Sequence, residues 1–121
     1  MKTESKTDTA TLMRRFSDAF QRHDPTLLND LVADSCVIEN TTPAPDGSRH
    51  EGREECLALW SRIATSPGQF QEEAIDVYGD RAIIRWRFRW GEGEQDSVRG
   101  VNIMRVREGK IVEAMGYVKG K

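Results

Sequence analysis

The chain has 121 residues, and its 18 Lys and Arg against 20 Asp and Glu give a formal net charge of −2. That near balance does not suit a general polyanion binder, which needs a net cationic surface, so nucleic acid is excluded as a partner. The length allows one core and leaves little for a second, and the two cysteines, Cys36 and Cys56, lack metal-ligand spacing and are expected to be buried free thiols.

Residues 1–8 are polar and read as a disordered lead to a single domain over residues 9–121. There is no apolar leader, and no run approaches the roughly 18 apolar residues a membrane span needs, so a cytoplasmic protein without membrane contact is expected. Thr7, Thr9 or Thr11 can cap a first helix, in which Leu12, Phe16, Ala19 and Phe20 recur at helical spacing as far as about His23. His23 suits the negative end of that helix. Asp24-Pro25 then predicts a short second helix to about Asp34, with Leu27, Leu28, Leu31 and Val32 inward. A short strand over residues 36–40 leads into a turn-rich surface loop over 41–49, marked by Pro43, Pro45 and Asp46-Gly47. A third helix over residues 52–65 places Cys56, Leu59, Trp60 and Ile63 on one side, and Ser66-Pro67-Gly68 stops it.

The remainder alternates. Ala82, Ile84, Trp86, Phe88 and Trp90 interleave with Arg81, Ile83, Arg85, Arg87 and Arg89, which predicts a half-buried strand with one apolar and one mostly cationic face. It pairs with residues 70–78 around Gly79-Asp80, and strands over 97–107 and 111–119 follow, joined at Gly109-Lys110. Helices gathered on one face of a curved, mostly antiparallel sheet define an α+β class, with a cavity between the layers that opens beside the 41–49 loop. The parity expected is that even-numbered side chains from Ala82 to Val118 look toward the helices and odd-numbered ones look out.

Asn40 and Asn102 then fall inward, able to hold a carbonyl, a hydroxyl or a water, or else to satisfy strand-end backbone groups. Phe16, Trp60, Trp86 and Phe88, with Val118 on the last strand, are candidates for the wall around a flat hydrophobic ligand or for plain core. His50, in the mouth loop, is the candidate proton acceptor or else a solvated side chain. Glu39 points away from Asn40, toward an outer-face arginine. On the outer face, Arg87, Val101, Ile103, Met115 and Tyr117 are expected to form the contact of a homodimer.

Met13-Arg14-Arg15-Phe16, Cys36-Val37-Ile38-Glu39-Asn40 before a Pro/Gly loop, Gly52-Arg53-Glu54, and Asn102-Ile103-Met104-Arg105-Val106 leading to Gly109-Lys110-Ile111 occur in an order that resembles the nuclear transport factor 2-like superfamily. That superfamily includes the SnoaL-like polyketide cyclases and the ketosteroid isomerases. The resemblance implies a cone-shaped fold with three N-terminal helices. It also places the isomerases' tyrosine on Phe16, their base on Asn40 and their acid on Asn102, none of which can shuttle a proton. Asn102 retains an amide donor suited to an oxyanion. The positions matching the cyclases' acidic or imidazole residues on the last strand are Ala114, Gly116 and Val118. Two functions follow as expectations: a binder of a small hydrophobic or polyketide-like molecule, or an isomerase, cyclase or dehydratase acting without a cofactor or metal. A protein-interaction module of the transport-factor type is the alternative.

Overall fold

The computed structural model describes residues 8–119, so the expected lead over residues 1–7 lies outside the described residues. Helix α1 spans Thr9–Gln21. Its N-cap is Asp8, not a threonine and not part of a lead: the carboxylate accepts from the Thr11 backbone N–H at 2.8 Å, and that bond holds the Asp8 carboxyl below its ordinary pKa. Leu12, Met13, Phe16, Ala19 and Phe20 form the buried stripe that the helical spacing predicts.

The expected second helix over residues 25–34 is corrected to a single 3-10 turn, Pro25–Leu28, after which the chain is already a strand, β1, over Val32–Asn40. Three leucines and a valine are too few to nucleate a helix against a competing partner for the backbone. Here the Ile111 N–H takes the Leu31 carbonyl at 2.6 Å and the last strand pairs alongside, while Leu28, Leu31 and Val32 still reach the core. Among the described residues there are thus two α-helices, not three.

The expected loop over 41–49 is shorter than predicted, because Ser48–Glu51 pairs back on β1 as β2. Gly47 closes the hairpin at φ +79°. A Cβ there would fall 1.7 Å from the Asn40 carbonyl oxygen, so only glycine fits. Helix α2 follows over Arg53–Thr65 and buries Cys56, Leu59, Trp60 and Ala64. Strands β3 (Gln69–Tyr78), β4 (Arg81–Arg89), β5 (Ser97–Arg107) and β6 (Lys110–Val118) complete a six-stranded sheet in the order β2-β1-β6-β5-β4-β3. Every neighbouring pair is antiparallel except β1 with β6, which is parallel.

Both helices lie on one face, α1 against β3 and β4 and α2 against β1 and β2, in an α+β arrangement. Along β4 and β5 the even-numbered parity holds, with Ala82, Ile84, Met104 and Val106 buried. On β6 it holds from Ala114 onward. Ile111 breaks it: the register shifts between Arg105 and Val106, and between Val32 and Val37 on the other neighbour, turn this odd-numbered side chain fully inward.

Candidate functional site

A cavity of about 410 Å³ lies between the helices and the β3–β6 side of the sheet. Its wall is aromatic, and the rings come from four elements. Phe16 of α1 meets Trp60 of α2 edge-on with centroids 4.9 Å apart, and Phe20 meets Phe70 of β3 at 5.6 Å. Phe70 in turn touches Trp86 at 5.7 Å and Phe88 at 4.6 Å, both on β4, and Phe88 leads to Trp90 at the mouth. Trp90 is 54% exposed and Val118, on the opposite rim, 45%.

Two glycines make the hollow. Gly100 sits directly opposite Trp86, and a Cβ on it would come within 2.6 Å of the indole, so the ring lies across the strand where a side chain would otherwise stand. Gly116 does the same for Asn102, whose Oδ1 would be 3.2 Å from a Cβ there.

Asn102 is oriented by its neighbour. The Trp86 indole N–H can only donate, and it lies 3.1 Å from the Asn102 oxygen, which assigns Oδ1 as the bound atom and leaves Nδ2 as the free end of the amide. That NH₂ meets no acceptor among the described residues. Asn40, at the end of β1, also lines the cavity, and its amide approaches Thr42 Oγ1 at 3.4 Å, which leaves both donor and acceptor capacity for a ligand.

The sequence-predicted candidates therefore divide. Asn40, Asn102, Phe16, Trp60, Trp86, Phe88 and Val118 all line this cavity. His50 does not. Instead of occupying a mouth loop it is in β2 opposite Ile38, with Nε2 2.9 Å from Ser48 Oγ, and its carbonyl faces the Cys56 thiol. Arg87, Val101, Ile103, Met115 and Tyr117 are on the outer face, which no helix covers among the described residues. Glu39 bonds Arg49 at 2.8 Å beside a second, more polar hollow of about 490 Å³ under the 41–47 loop. Cys36 and Cys56 are fully buried, and burial pushes both thiols above their ordinary pKa, Cys36 far above it, so neither is a nucleophile at neutral pH.

One lining residue escaped sequence reading. Glu72 is the single ionisable side chain on the cavity wall. In Gln69–Tyr78 the acidic pair Glu72-Glu73 looks like solvent-facing strand, but β3 carries a bulge between Glu72 and Ala74. Alternation read back from Ile75 and Val77, which face Ile84 and Ala82, would put Glu72 outside, but the extra residue Glu73 reverses the parity. Glu72 therefore shares a face with Phe70 opposite Trp86, exposed at the edge of the cavity, while Glu73 remains outside on Arg87 and Arg99. No group of three or more His, Cys, Asp or Glu among the described residues is arranged to hold a metal ion, and no described helix is long and apolar enough to cross a membrane.

Comparison with known proteins places this geometry. A crystal structure of an NTF2-like protein of unknown function from Mesorhizobium loti is 58% identical, with 99% of this chain and 98% of that chain covered and a TM-score of 0.86. A proposed polyketide cyclase from Sinorhizobium meliloti shares 20% identity over 88% of this chain and 94% of its own, with a TM-score of 0.73. A limonene-epoxide-hydrolase-like epoxide hydrolase of M. tuberculosis shares 19% over 98% and 83%, with a TM-score of 0.74, and at such identities these two speak for the fold alone. No curated protein matches the sequence. The signature of the SnoaL-like domain matches residues 13–114, and the chain belongs to that family, within the NTF2-like superfamily.

Proposed function

We propose that this chain binds a small, flat, largely hydrophobic molecule in the aromatic cavity, and that it does so as a cytoplasmic homodimer. The Trp86–Asn102 hydrogen bond carries the reading. By occupying the amide oxygen it makes Asn102 a donor in a mostly apolar hollow, so the favoured ligand bears a hydrogen-bond acceptor such as a carbonyl beside an aromatic or alicyclic body. A ligand without that acceptor would leave the amide N–H unpaired and desolvated.

An isomerase, cyclase or dehydratase working without a cofactor is the second reading. The same donor would stabilise a developing oxyanion, and one structural relative is a proposed polyketide cyclase. Against it stands a lining with no acid-base pair, only Glu72.

Tryptophan emission reports on the site, because Trp60, Trp86 and Trp90 all line it. Titration with 2-acetylnaphthalene and its acceptor-free analogue 2-ethylnaphthalene should show the ketone binding about five- to tenfold tighter, the worth of one hydrogen bond. Asn102→Leu should abolish the difference. Equal affinities in the unmutated protein would refute the reading, while loss of α-hydrogen to deuterium oxide from the bound ketone would promote the catalytic one.

A further inference from the structure

Glu72 lines the cavity at its exposed edge, where no cation of the described residues pairs with it. Its side chain forms no ion pair or hydrogen bond among the described residues, and the attachment that holds this part of β3 to α1 uses its backbone instead, the Glu72 N–H donating to Gln21 Oε1 at 2.9 Å. The adjacent carboxylate is in the opposite condition, since Glu73 takes two bonds from Arg99 and lies 3.6 Å from Arg87. The β4 and β5 arginines in register with one another belong to that outer surface, across the sheet from the cavity. What surrounds Glu72 on its own face is aromatic. Trp86 is its direct partner across the strands, Phe70 precedes it on the same face, and Phe88 lies against Phe70.

A carboxylate beside ring faces is the combination that attracts an organic cation. A ring face attracts a cation through its quadrupole, and a carboxylate that no protein cation pairs with can serve as the counter-ion. The same carboxylate repels a ligand acid. We propose that the molecule held in this cavity carries an ammonium or comparable cationic group, placed at Glu72 against Trp86 and Phe70. This rests on the cavity being a binding site. It narrows the ligand to an amine-bearing hydrophobic molecule and excludes fatty acids and other carboxylates.

Three probes of one shape separate the possibilities: 2-naphthylmethylammonium, 2-naphthylmethanol and 2-naphthoate, titrated at low ionic strength into the full chain with tryptophan emission as the readout. The ammonium should bind about tenfold tighter than the alcohol and the carboxylate weakest of the three. Added salt should shrink the ammonium's advantage. In Glu72→Gln, which removes no bond the side chain makes, the alcohol should keep its affinity and the ammonium should fall to match it. Alcohol and ammonium binding alike to the unmutated chain would overturn the proposal and leave the binding cavity standing. So would a preference that survives Glu72→Gln. If none of the three binds, the cavity is not a ligand site and both readings fall together.

Discussion

Glu73 stands at the extra residue of the β3 bulge, with Arg99 donating to it at 2.8 and 3.0 Å and Arg87 approaching at 3.6 Å. Arg87 and Arg99 are direct partners across β4 and β5, an arrangement of like charges that is unfavourable unless a carboxylate lies between them. The bonds from Arg99, foremost, hold the Glu73 carboxyl below its ordinary pKa. A group whose folded value lies below its unfolded one contributes stability that is present above the unfolded value, about 4.3, and is lost as pH falls through the folded value. Thermal unfolding of the unmutated chain and of Glu73→Gln should therefore differ at neutral pH, the variant melting lower, and converge as the pH falls from the unfolded value through the lowered folded one. A gap that persists unchanged into acid would mean that the arginines are held apart by something other than this charge.

Among the elements, β5 and β6 show how a missing side chain shapes the hollow. An alanine methyl at Gly100 would press on the Tyr117 carbonyl oxygen at 2.5 Å as well as on the Trp86 ring, and the backbone atom cannot yield. Gly100→Ala should thus cost about 1–3 kcal/mol in urea unfolding and change the tryptophan emission as Trp86 is displaced. Gly116→Ala should be milder, since its nearest atoms are side-chain atoms of Asn102 and Thr41 at 3.2 Å. Strands β3 to β6 were legible in the sequence because their period-two alternation is long and two of their three joints carry a glycine turn, Gly79 and Gly109 at positive φ. Asn102 and the aromatic wall followed from that alternation. The start of β1 was not legible, because Leu27, Leu28, Leu31 and Val32 fit a helical spacing as well as a turn and a strand, and only pairing with β6 decides between them. His23 shows the same limit: its imidazole does serve a helix end, but the carbonyl that Nδ1 bonds, at 2.9 Å, is Ala64 of α2, brought near by the fold. Glu72 was hidden for a third reason, a bulge, which composition does not announce.

At the scale of the whole molecule, one face of the sheet is covered by helices and the other is bare among the described residues. Ile83, Ile103 and Met115 line up in register across β4, β5 and β6, and Val101 faces Tyr117 one pleat away. Ile103 is 36% and Tyr117 55% exposed. Ion pairs border this apolar centre, Glu73 with Arg87 and Arg99 on one side and Glu39 with Arg49 on the other. An apolar centre with a charged rim is the anatomy of a protein contact, and a two-fold pairing would oppose each patch to its own copy. A stable contact of this kind covers about 800 Å² on each partner, which requires several strands to take part and not Tyr117 alone. Ile103 lies at the middle of the row and is 36% exposed, so a charge placed there would be buried against its symmetry mate in a dimer, whereas in a monomer it could reach water. Ile103→Glu should then leave the fold intact by circular dichroism while converting a dimer into a monomer in sedimentation equilibrium, at protein concentrations on the order of 10–100 μM. A monomeric unmutated chain under those conditions, or a variant that remains dimeric, would remove this face as the site of self-association. Because the cavity opens on the opposite side of the sheet, ligand binding by the monomeric variant should be unchanged, which separates the two proposed roles of the sheet's faces.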